Sequence, residues 1–162
     1  MPQKKNPDVC ELIRGKSGVG KSETALGLIE RGAALVADDM VYVRNVGGEL
    51  VASAPEMSRG FMEVRGLGIV NITTLFGLKS IRHNKRLPAK DQEELDRLGL
   101  EREGLDVLGE KVLHVQLSVA PGRDIARLVE VAAMDYHLKD MGIDMAGEFN
   151  RRLMSNFQSS EN

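Results

Sequence analysis

The sequence predicts an α/β fold that combines a phosphate loop with a mixed sheet, a β-hairpin and C-terminal helices. Three observations support this fold class. Residues Gly15–Ser22 read G-x-x-x-x-G-K-S and are followed by a helical pattern. The alternating run VYVRNVGGELVASA, residues 41–54, crosses two glycines and indicates a hairpin. Residues 123–142 and 144–157 have the apolar periodicity of amphipathic helices.

The stretch before the phosphate loop has the pattern of a helix. Asn6 is a suitable N-cap and Pro7 is a suitable first helical residue. Apolar residues then recur at i, i+3 and i+4 spacing: Val9, Leu12 and Ile13. A strand over VCELI, residues 9–13, is the alternative, although it would contain Glu11. Because a phosphate loop should follow a buried strand, this lead-in is atypical.

Helical and extended patterns follow one another after the loop. Residues 22–31 predict a helix, and ALVADD, residues 34–39, predicts a short buried strand. Beyond the hairpin, GIVNITTLFG, residues 68–77, fits either a strand or a helix. Residues 83–104 are highly charged and predict a solvated surface segment. In KVLHVQLSV, residues 111–119, apolar and polar residues alternate, which predicts a strand.

The C-terminal part is predicted to be helical. A helix over residues 123–142 ends at Gly142, and Asp144 is a suitable N-cap for the last helix. One side of that last helix is apolar: Phe149, Leu153, Met154 and Phe157. The chain divides into an atypical lead-in over residues 1–17, one domain over 18–157, and a tail over 158–162 that is predicted to be disordered.

Composition narrows the functional classes. The 162 residues fit one domain with a real hydrophobic core. Lys and Arg number 22 against 24 Asp and Glu, so the net charge of −2 argues against nucleic-acid and membrane-surface partners. No apolar run reaches the ~18 residues of a membrane span. Cys10 is the single cysteine, which excludes a disulfide framework and favours a cytoplasmic protein.

Each position of the phosphate loop has a chemical reason. Glycines let the backbone approach phosphate oxygens with its N–H groups turned inward. Lys21 supplies a mobile charge for the β/γ-phosphates, and the Ser22 hydroxyl is a ligand for Mg²⁺. The candidate nucleotide-binding residues are the eight of the loop: Gly15, Lys16, Ser17, Gly18, Val19, Gly20, Lys21 and Ser22. A glycine-rich turn without a ligand is the alternative.

Two acids close the strand that is predicted after the loop helix. In an α/β sheet, that strand end faces the same crevice as the phosphate loop. Asp38 or Asp39 can therefore hold Mg²⁺ or take a proton from an attacking hydroxyl. A solvated turn is the alternative for this pair, and the phosphate loop at this spacing favours the functional interpretation.

Several ordered segments resemble the catalytic domain of HPr kinase/phosphorylase, a P-loop kinase-like fold. The resemblance begins with GVGKSETALGLIERGAALVADDMVYVR from Gly18 onward and continues with MEVRGLGIVNITTLFG, residues 62–77. LDRLGLE, SVAPGRD and LVEVAAMDY follow in the expected order. Together these segments cover most of residues 18–150.

The resemblance implies roles for individual residues. It places Lys21 on the phosphates, makes Asp39 the catalytic base with Asp38 beside it, and makes Arg97 a catalytic arginine. It adds Glu63 to Ser22 as a Mg²⁺ ligand. The resemblance also implies that Met62–Asn71, which includes Arg65, Gly66 and Gly68, is needed for both the phosphorylation and the dephosphorylation that the family carries out. It ties residues 118–123, which include Arg123, to dephosphorylation. From the residues alone, a surface ion pair between Glu63 and Arg65, or a solvated Arg97, is equally open.

The family resemblance also implies an activity. Such an enzyme uses ATP and Mg²⁺ to phosphorylate a serine of HPr, the phosphocarrier of the sugar phosphotransferase system. It removes the same phosphate by phosphorolysis, with phosphate consumed and pyrophosphate released, and so regulates carbon metabolism. Members of the family are hexamers, so a homo-oligomer is expected.

Two departures from the family pattern leave other functions open. The resemblance implies strands and a catalytic His before the loop, but His83, His114 and His137 all follow it. The segment HNKRLPAKDQEE also lacks the apolar strand of the family, so an inactive nucleotide-binding remnant is an alternative. MPQKKNPDVCELIRGKSG resembles the conserved loop and helix of argininosuccinate lyase, which makes a lyase fragment the last alternative.

Overall fold

A computed structural model describes residues 8–90 and 104–159. Seven strands are present in these ranges: β1 Tyr42–Val46, β2 Glu49–Ser53, β3 Phe61–Val64, β4 Gly68–Asn71, β5 Asn84–Leu87, β6 Leu105–Val107 and β7 Glu110–Val112. The α-helices are α1 Lys21–Glu30, α2 Ile72–Phe76, α3 Ile125–Asp140 and α4 Met145–Ser159. Short 3-10 turns occupy Glu56–Ser58 and Leu78–Ser80.

The predicted hairpin is confirmed and forms the centre of a three-stranded sheet. β1 and β2 pair antiparallel across the Gly47–Gly48 turn, and β5 pairs with the other edge of β2. Leu50 lies opposite Leu87 in this register, and both side chains are buried. Ala52 joins them, because alternate residues of β2 point to the same face. One hydrophobic cluster therefore lies on one face of this sheet.

A second cluster lies around the phosphate-loop helix. β3 and β4 form an antiparallel ribbon, and Met62 and Val64 of β3 pack with Ile29 of α1 and Ile72 of α2. The sequence of residues 68–77 fitted either a strand or a helix, and the structure contains one after the other: β4 ends at Asn71 and α2 begins at Ile72. The Oδ1 atom of Asn71 accepts a hydrogen bond from the Thr74 amide at 2.9 Å. The carboxamide of Asn71 thus marks the change from strand to helix.

The segment ALVADD forms much less strand than predicted. Leu35 makes one parallel bridge with Ile81, through a 2.8 Å bond from the Leu35 amide to the Ser80 carbonyl and another from the Arg82 amide to the Leu35 carbonyl. Leu35 is buried in the second cluster. Antiparallel ladders together with this parallel bridge give the mixed α/β arrangement that the sequence predicts.

The helical prediction for the lead-in was wrong. Residues 8–14 form neither helix nor strand. Cys10 packs against the Leu50 cluster, and this burial raises the pKa of its thiol to about 11. The Asp8 carboxylate forms an ion pair with Lys85 of β5. A helix this short gains little from its own hydrogen bonds, so contacts with the sheet determine the conformation.

Two further predictions from local pattern need correction. Residues 84–87 belong to the segment that was expected to be solvated, but they form β5, and Leu87 is buried. The sheet therefore has a strand in the segment where the sequence predicted that the family's strand is missing. Residues 91–103 lie outside the described residues. In the strand predicted over 111–119, only Lys111 and Val112 belong to β7, which ends at Val112. The alternation continues beyond Val112, but β6 offers only three residues for pairing.

Both C-terminal helices are confirmed. Asp124 caps α3 through a 3.0 Å bond from the Arg127 amide, and the Gly147 amide donates to Asp144 at 3.1 Å at the start of α4. Residues 160–162 of the predicted tail lie outside the described residues. Within the described part of the chain, none of the helices combines the length and the apolarity that crossing a bilayer requires.

α1 and α3 pack closely at one crossing point and are joined by charges beside it. A Cβ atom on Gly27 would lie 2.9 Å from the Ala126 Cβ, so the glycine permits this approach. Arg31, at the end of α1, donates to Asp124 at 2.7 Å and to Glu130 at 3.4 Å. The Arg127 amide and the Arg31 guanidinium together hold the pKa of Asp124 below its usual range.

Substituting Gly27→Ala should lower stability, although alanine ordinarily favours a helix interior by ~0.5–1 kcal/mol. The added methyl group meets the Ala126 methyl at 2.9 Å, and overpacking of this kind costs about 1–3 kcal/mol. Thermal and urea unfolding of the variant measure the loss.

The matched control is the double variant Gly27→Ala with Ala126→Gly, which moves the methyl group to the other helix. We expect it to regain most of the stability that the single variant loses, because neighbouring sites couple. Equal stability of wild type and Gly27→Ala would contradict the close helix crossing.

Candidate functional site

The phosphate loop forms although no strand precedes it in residues 8–16. Gly18 and Gly20 have φ angles of 79° and 98°, which side-chain-bearing residues rarely adopt. Gly20 is the left-handed N-cap of α1, and its carbonyl accepts the Thr24 amide at 3.0 Å. The loop therefore leads directly into a ten-residue helix whose N-terminus favours an anion.

Lys21 is folded back over the loop. Its ammonium group donates to the carbonyls of Gly15 and Lys16, at 3.1 Å in both cases. These are neutral acceptors, and no ion pair involves Lys21 within the described ranges. The lysine thus lies against the loop that it is predicted to serve, without a carboxylate to neutralise it.

Asp38 connects the loop helix to the β3–β4 ribbon. Its Oδ1 accepts the Ser22 hydroxyl at 3.0 Å, and its Oδ2 accepts the backbone amide of Glu63 at 3.0 Å. Both carboxylate oxygens are therefore engaged, one with the end of the phosphate loop and the other with β3. Ser22 and Asp38 are half-buried, which strengthens the hydrogen bond between their side chains relative to an exposed one.

The ribbon presents charged side chains on the face away from its core. Met62 and Val64 are buried, whereas Glu63 and Arg65 are exposed. Successive strand residues point to opposite faces, so Glu63 lies on the face of β3 opposite Met62 and Val64. Arg65 follows β3 as the first residue of the β3–β4 turn. The Arg65 guanidinium lies near Gly18 of the phosphate loop: an ideal Cβ on Gly18 would be 3.0 Å from Nη2.

Other predicted residues are placed apart from these contacts. Asp39 is exposed and has no side-chain hydrogen bond or ion pair to any other described residue. Gly66 and Gly68 lie at the β3–β4 turn with φ angles of 86° and 87°. The Arg123 guanidinium donates to the Ser118 carbonyl at 3.1 Å, which closes its own loop. Arg97 lies outside the described residues.

The bridging role of Asp38 was missed by sequence reasoning, which placed this residue only beside the predicted base. The two acids lie in a bend after Leu35, and the Ser22 hydroxyl donates to Asp38. Their adjacent positions in the sequence held no signal for which of them reaches Ser22.

The oxygen atoms at the loop suit Mg²⁺. This ion is usually bound by one or two protein oxygens, and the substrate phosphates and water complete its octahedron. The Ser22 hydroxyl and the Asp38 carboxylate lie within 3.0 Å of each other and provide such a pair. Within residues 8–90 and 104–159, no group of three or more His, Cys, Asp or Glu side chains is arranged as a complete metal cage. Substrate phosphates would thus contribute to holding the ion.

The fold is that of a P-loop kinase-like domain. The family model described as "HPr Serine kinase C-terminal domain" matches residues 8–153. The chain therefore belongs to the family of HPr kinase C-terminal domains. This match includes residues 8–17, for which the resemblance to argininosuccinate lyase stays a prediction.

Relatives and a solved structure agree with the family match. The chain is 48% identical to an HPr kinase/phosphorylase of Chloroherpeton thalassium over 150 residues, which are 88% of this chain and 44% of the relative. It is 45% identical to that of Bacillus subtilis over 158 residues, 93% of this chain and 51% of the relative. The HPr(Ser) kinase/phosphatase of Coxiella burnetii superimposes with a TM-score of 0.69 at 28% identity, covering 85% of this chain and 88% of the other. The chain thus spans about half the length of the curated relatives.

The substitution Asp38→Asn should destabilise the protein without any ligand present. An amide can still accept from the Glu63 amide and donate to the Ser22 hydroxyl, but it loses the charge that strengthens both bonds. Hydrogen bonds to charged groups contribute about 1.5–3 kcal/mol and neutral ones about 0.5–1.5 kcal/mol, so we expect a loss of about 1 kcal/mol or more. Thermal unfolding of the ligand-free variant measures this loss.

Asp39→Asn is the matched control, because it makes the same change one residue away. The Asp39 carboxylate has no side-chain partner in the described part of the chain, so the unfolding temperature of this variant should equal that of the wild type. Equal losses in the two variants would contradict the bridging role of Asp38.

Proposed function

We propose that the domain catalyses ATP- and Mg²⁺-dependent phosphorylation of a serine in the phosphocarrier HPr, and the phosphorolysis of that phosphoserine. The observation that carries this proposal is the contact of Asp38 with Ser22 at 3.0 Å at the end of a complete phosphate loop. Membership of the HPr kinase family supports the choice of substrate. The residues at the loop suit phosphoryl transfer, which requires positioning and charge neutralisation more than covalent chemistry.

The kinase direction assigns a task to each residue near the loop. Lys21 leaves the carbonyls of Gly15 and Lys16 and donates to the phosphates of ATP instead. Mg²⁺, when bound by Ser22 and Asp38, neutralises charge on the phosphates. Asp39, exposed beside Asp38, takes the proton of the attacking serine hydroxyl. The serine oxygen forms a bond to the γ-phosphorus, and the bond to the ADP oxygen breaks.

The reverse direction uses the same groups. An oxygen of inorganic phosphate attacks the phosphorus of phosphoserine, the bond to the serine oxygen breaks, and pyrophosphate forms. Asp39 returns the proton to the serine oxygen, because microscopic reversibility makes the base of one direction the acid of the other. Glu63, Arg97 and Arg123 are further proposed site residues, with Glu63 near the Mg²⁺ ligands on the ribbon face.

A nucleotide-binding domain without catalysis is the second candidate. It is favoured by one observation, the absence of a strand over residues 8–16 ahead of the loop. A phosphate loop that is preceded by a less rigid segment can still bind an anion through its backbone amides and the helix N-terminus. Binding without turnover distinguishes this candidate from the first.

Lys21→Ala provides the main test of the proposed function. A ligand that binds only the folded state stabilises it by about 2.7 kcal/mol at 100 times its dissociation constant. We expect Mg-ATP to raise the unfolding temperature of the wild type clearly, and of Lys21→Ala little or not at all. Transfer of labelled phosphate from ATP to HPr is then measured for both proteins.

Lys79→Ala is the matched control for this experiment. Lys79 is exposed, and its side chain has no ion pair within the described residues. Its variant should keep both the thermal shift and the transfer. A shift without labelled HPr in the wild type supports the second candidate, whereas turnover that survives in Lys21→Ala contradicts the proposed site.

We also propose that the protein forms a homo-oligomer in the cytoplasm. α4 supports the oligomer, because its apolar side chains are exposed to solvent along the helix: Met145, Phe149, Leu153, Met154 and Phe157. Apolar surface of this kind on a helix is typical of a protein interface. A second copy of the chain is the occupant that we propose for this face.

Introducing charge into this face should lower the mass of the assembly. Phe149→Asp combined with Phe157→Asp places two carboxylates where both phenyl rings are more than 60% exposed, so folding of the single chain is little affected. Sedimentation velocity compares this variant with the wild type and with Asn150→Asp, which adds charge on the same helix. A smaller species is expected for the double variant alone; an unchanged mass contradicts α4 as the interface.

A further inference from the structure

Arg65 lies over the phosphate loop, and it has no carboxylate partner among the residues that the structure describes. Its Nη2 is 3.0 Å from the position that a Cβ on Gly18 would occupy. No ion pair joins it to Glu63 or to any other acid in residues 8–90 and 104–159. An exposed guanidinium would ordinarily extend into water or pair with a carboxylate, so its position beside the loop requires an explanation.

The placement of Arg65 follows from the backbone of the ribbon. The Asp38 carboxylate fixes the Glu63 amide at 3.0 Å, and Arg65 is two residues further along, at the start of the β3–β4 turn. Val64 between them is buried in the second cluster, which fixes the direction of the neighbouring side chains. Gly18 has no side chain, so the guanidinium can approach the loop backbone closely.

We propose that Arg65 is a phosphate-binding residue of the loop, a second cation opposite Lys21 that contacts the phosphate groups of ATP or pyrophosphate. This inference rests on the proposed function, since it assumes that the loop binds these anions. Lys21 approaches the loop from α1 and Arg65 approaches it from the ribbon, so the two cations come from separate elements. A planar guanidinium can donate two parallel hydrogen bonds to one phosphate, which an ammonium group cannot.

The proposal makes a specific statement about the ligand. Arg65 contacts phosphate and neither the base nor the sugar, so its contribution should be equal for ATP and for pyrophosphate. Hydrogen bonds to charged groups contribute about 1.5–3 kcal/mol, and every 1.4 kcal/mol is tenfold in affinity. Loss of the guanidinium should therefore weaken the binding of both ligands about tenfold or more.

Calorimetric titration of the full chain with Mg-ATP and with Mg-pyrophosphate tests this inference. The variants are Arg65→Gln, Arg65→Lys and Lys21→Ala. Arg44→Gln is the matched control, because Arg44 of β1 is also an exposed arginine without an ion pair in the described residues. We expect Arg65→Gln to lose about tenfold in affinity for both ligands and Arg65→Lys to recover part of it. Arg44→Gln should bind like the wild type, and all ligand-free unfolding temperatures except that of Lys21→Ala should agree.

Each other outcome has a distinct meaning. Wild-type affinity in Arg65→Gln, with binding lost in Lys21→Ala, overturns the inference and leaves the proposed function intact. A loss for ATP but not for pyrophosphate also overturns it, because the contact is then outside the phosphates. A lowered ligand-free unfolding temperature in both Arg65 variants, with no difference between Gln and Lys in binding, indicates a structural role and overturns it. Absence of binding by the wild type overturns the inference together with the proposed function.

Discussion

The carboxylate of Asp38 is the contact on which the site depends. It holds the Ser22 hydroxyl with one oxygen and the Glu63 amide with the other, both at 3.0 Å. Apolar packing also joins the phosphate-loop helix to the β3–β4 ribbon, but such packing is not directional. A hydrogen-bonded carboxylate adds direction, and so it determines where the charged face of the ribbon lies relative to the loop.

The packing around α1 explains how the loop keeps its geometry although residues 8–16 ahead of it form no strand. Ile29 of α1 is buried against Met62 and Val64 of the ribbon on one side. On another side, Gly27 lets α3 approach, and Arg31 joins the end of α1 to Asp124. The helix is thereby fixed from its C-terminal half, and the loop is held at its N-terminal end. Rigid placement of the helix substitutes for the support that a preceding strand would give.

Elements that depend on local sequence signals were predicted, whereas elements that depend on contacts with distant residues were not. The Gly47–Gly48 hairpin, α1 and both C-terminal helices follow from turn residues, caps and periodicity that lie within a few residues of one another. The lead-in was wrong because Cys10 packs on a sheet more than thirty residues away in sequence. β5 was missed for a similar reason: a charged strand is stabilised by its pairing with β2, although Leu87 is its single buried residue.

The same distinction applies to the site. The spacing of Gly15–Ser22 specifies a phosphate loop because its residues are contiguous, and the structure has the left-handed glycines that this requires. The bridging contacts of Asp38 could not be predicted, because one of them is a hydrogen bond from an amide 25 residues further along the chain. The position of Arg65 over Gly18 depends on that same bond and on the register of the ribbon.

The pattern of pairing among charges suits the phosphoryl transfer in both directions that we propose. Within the described residues, Asp38 is the acid that is hydrogen-bonded at the loop, and its partners are a hydroxyl and an amide, not a cation. Lys21 contacts neutral carbonyls, and Arg65 has no carboxylate partner in residues 8–90 and 104–159. Among the described residues, an entering phosphate group therefore has no ion pair of these cations to break, and the cost of separating a salt bridge does not arise. In the function that we propose, such a site would neutralise the charge of the phosphates in either direction of transfer, and the concentrations of ATP, phosphate and pyrophosphate would then determine the direction.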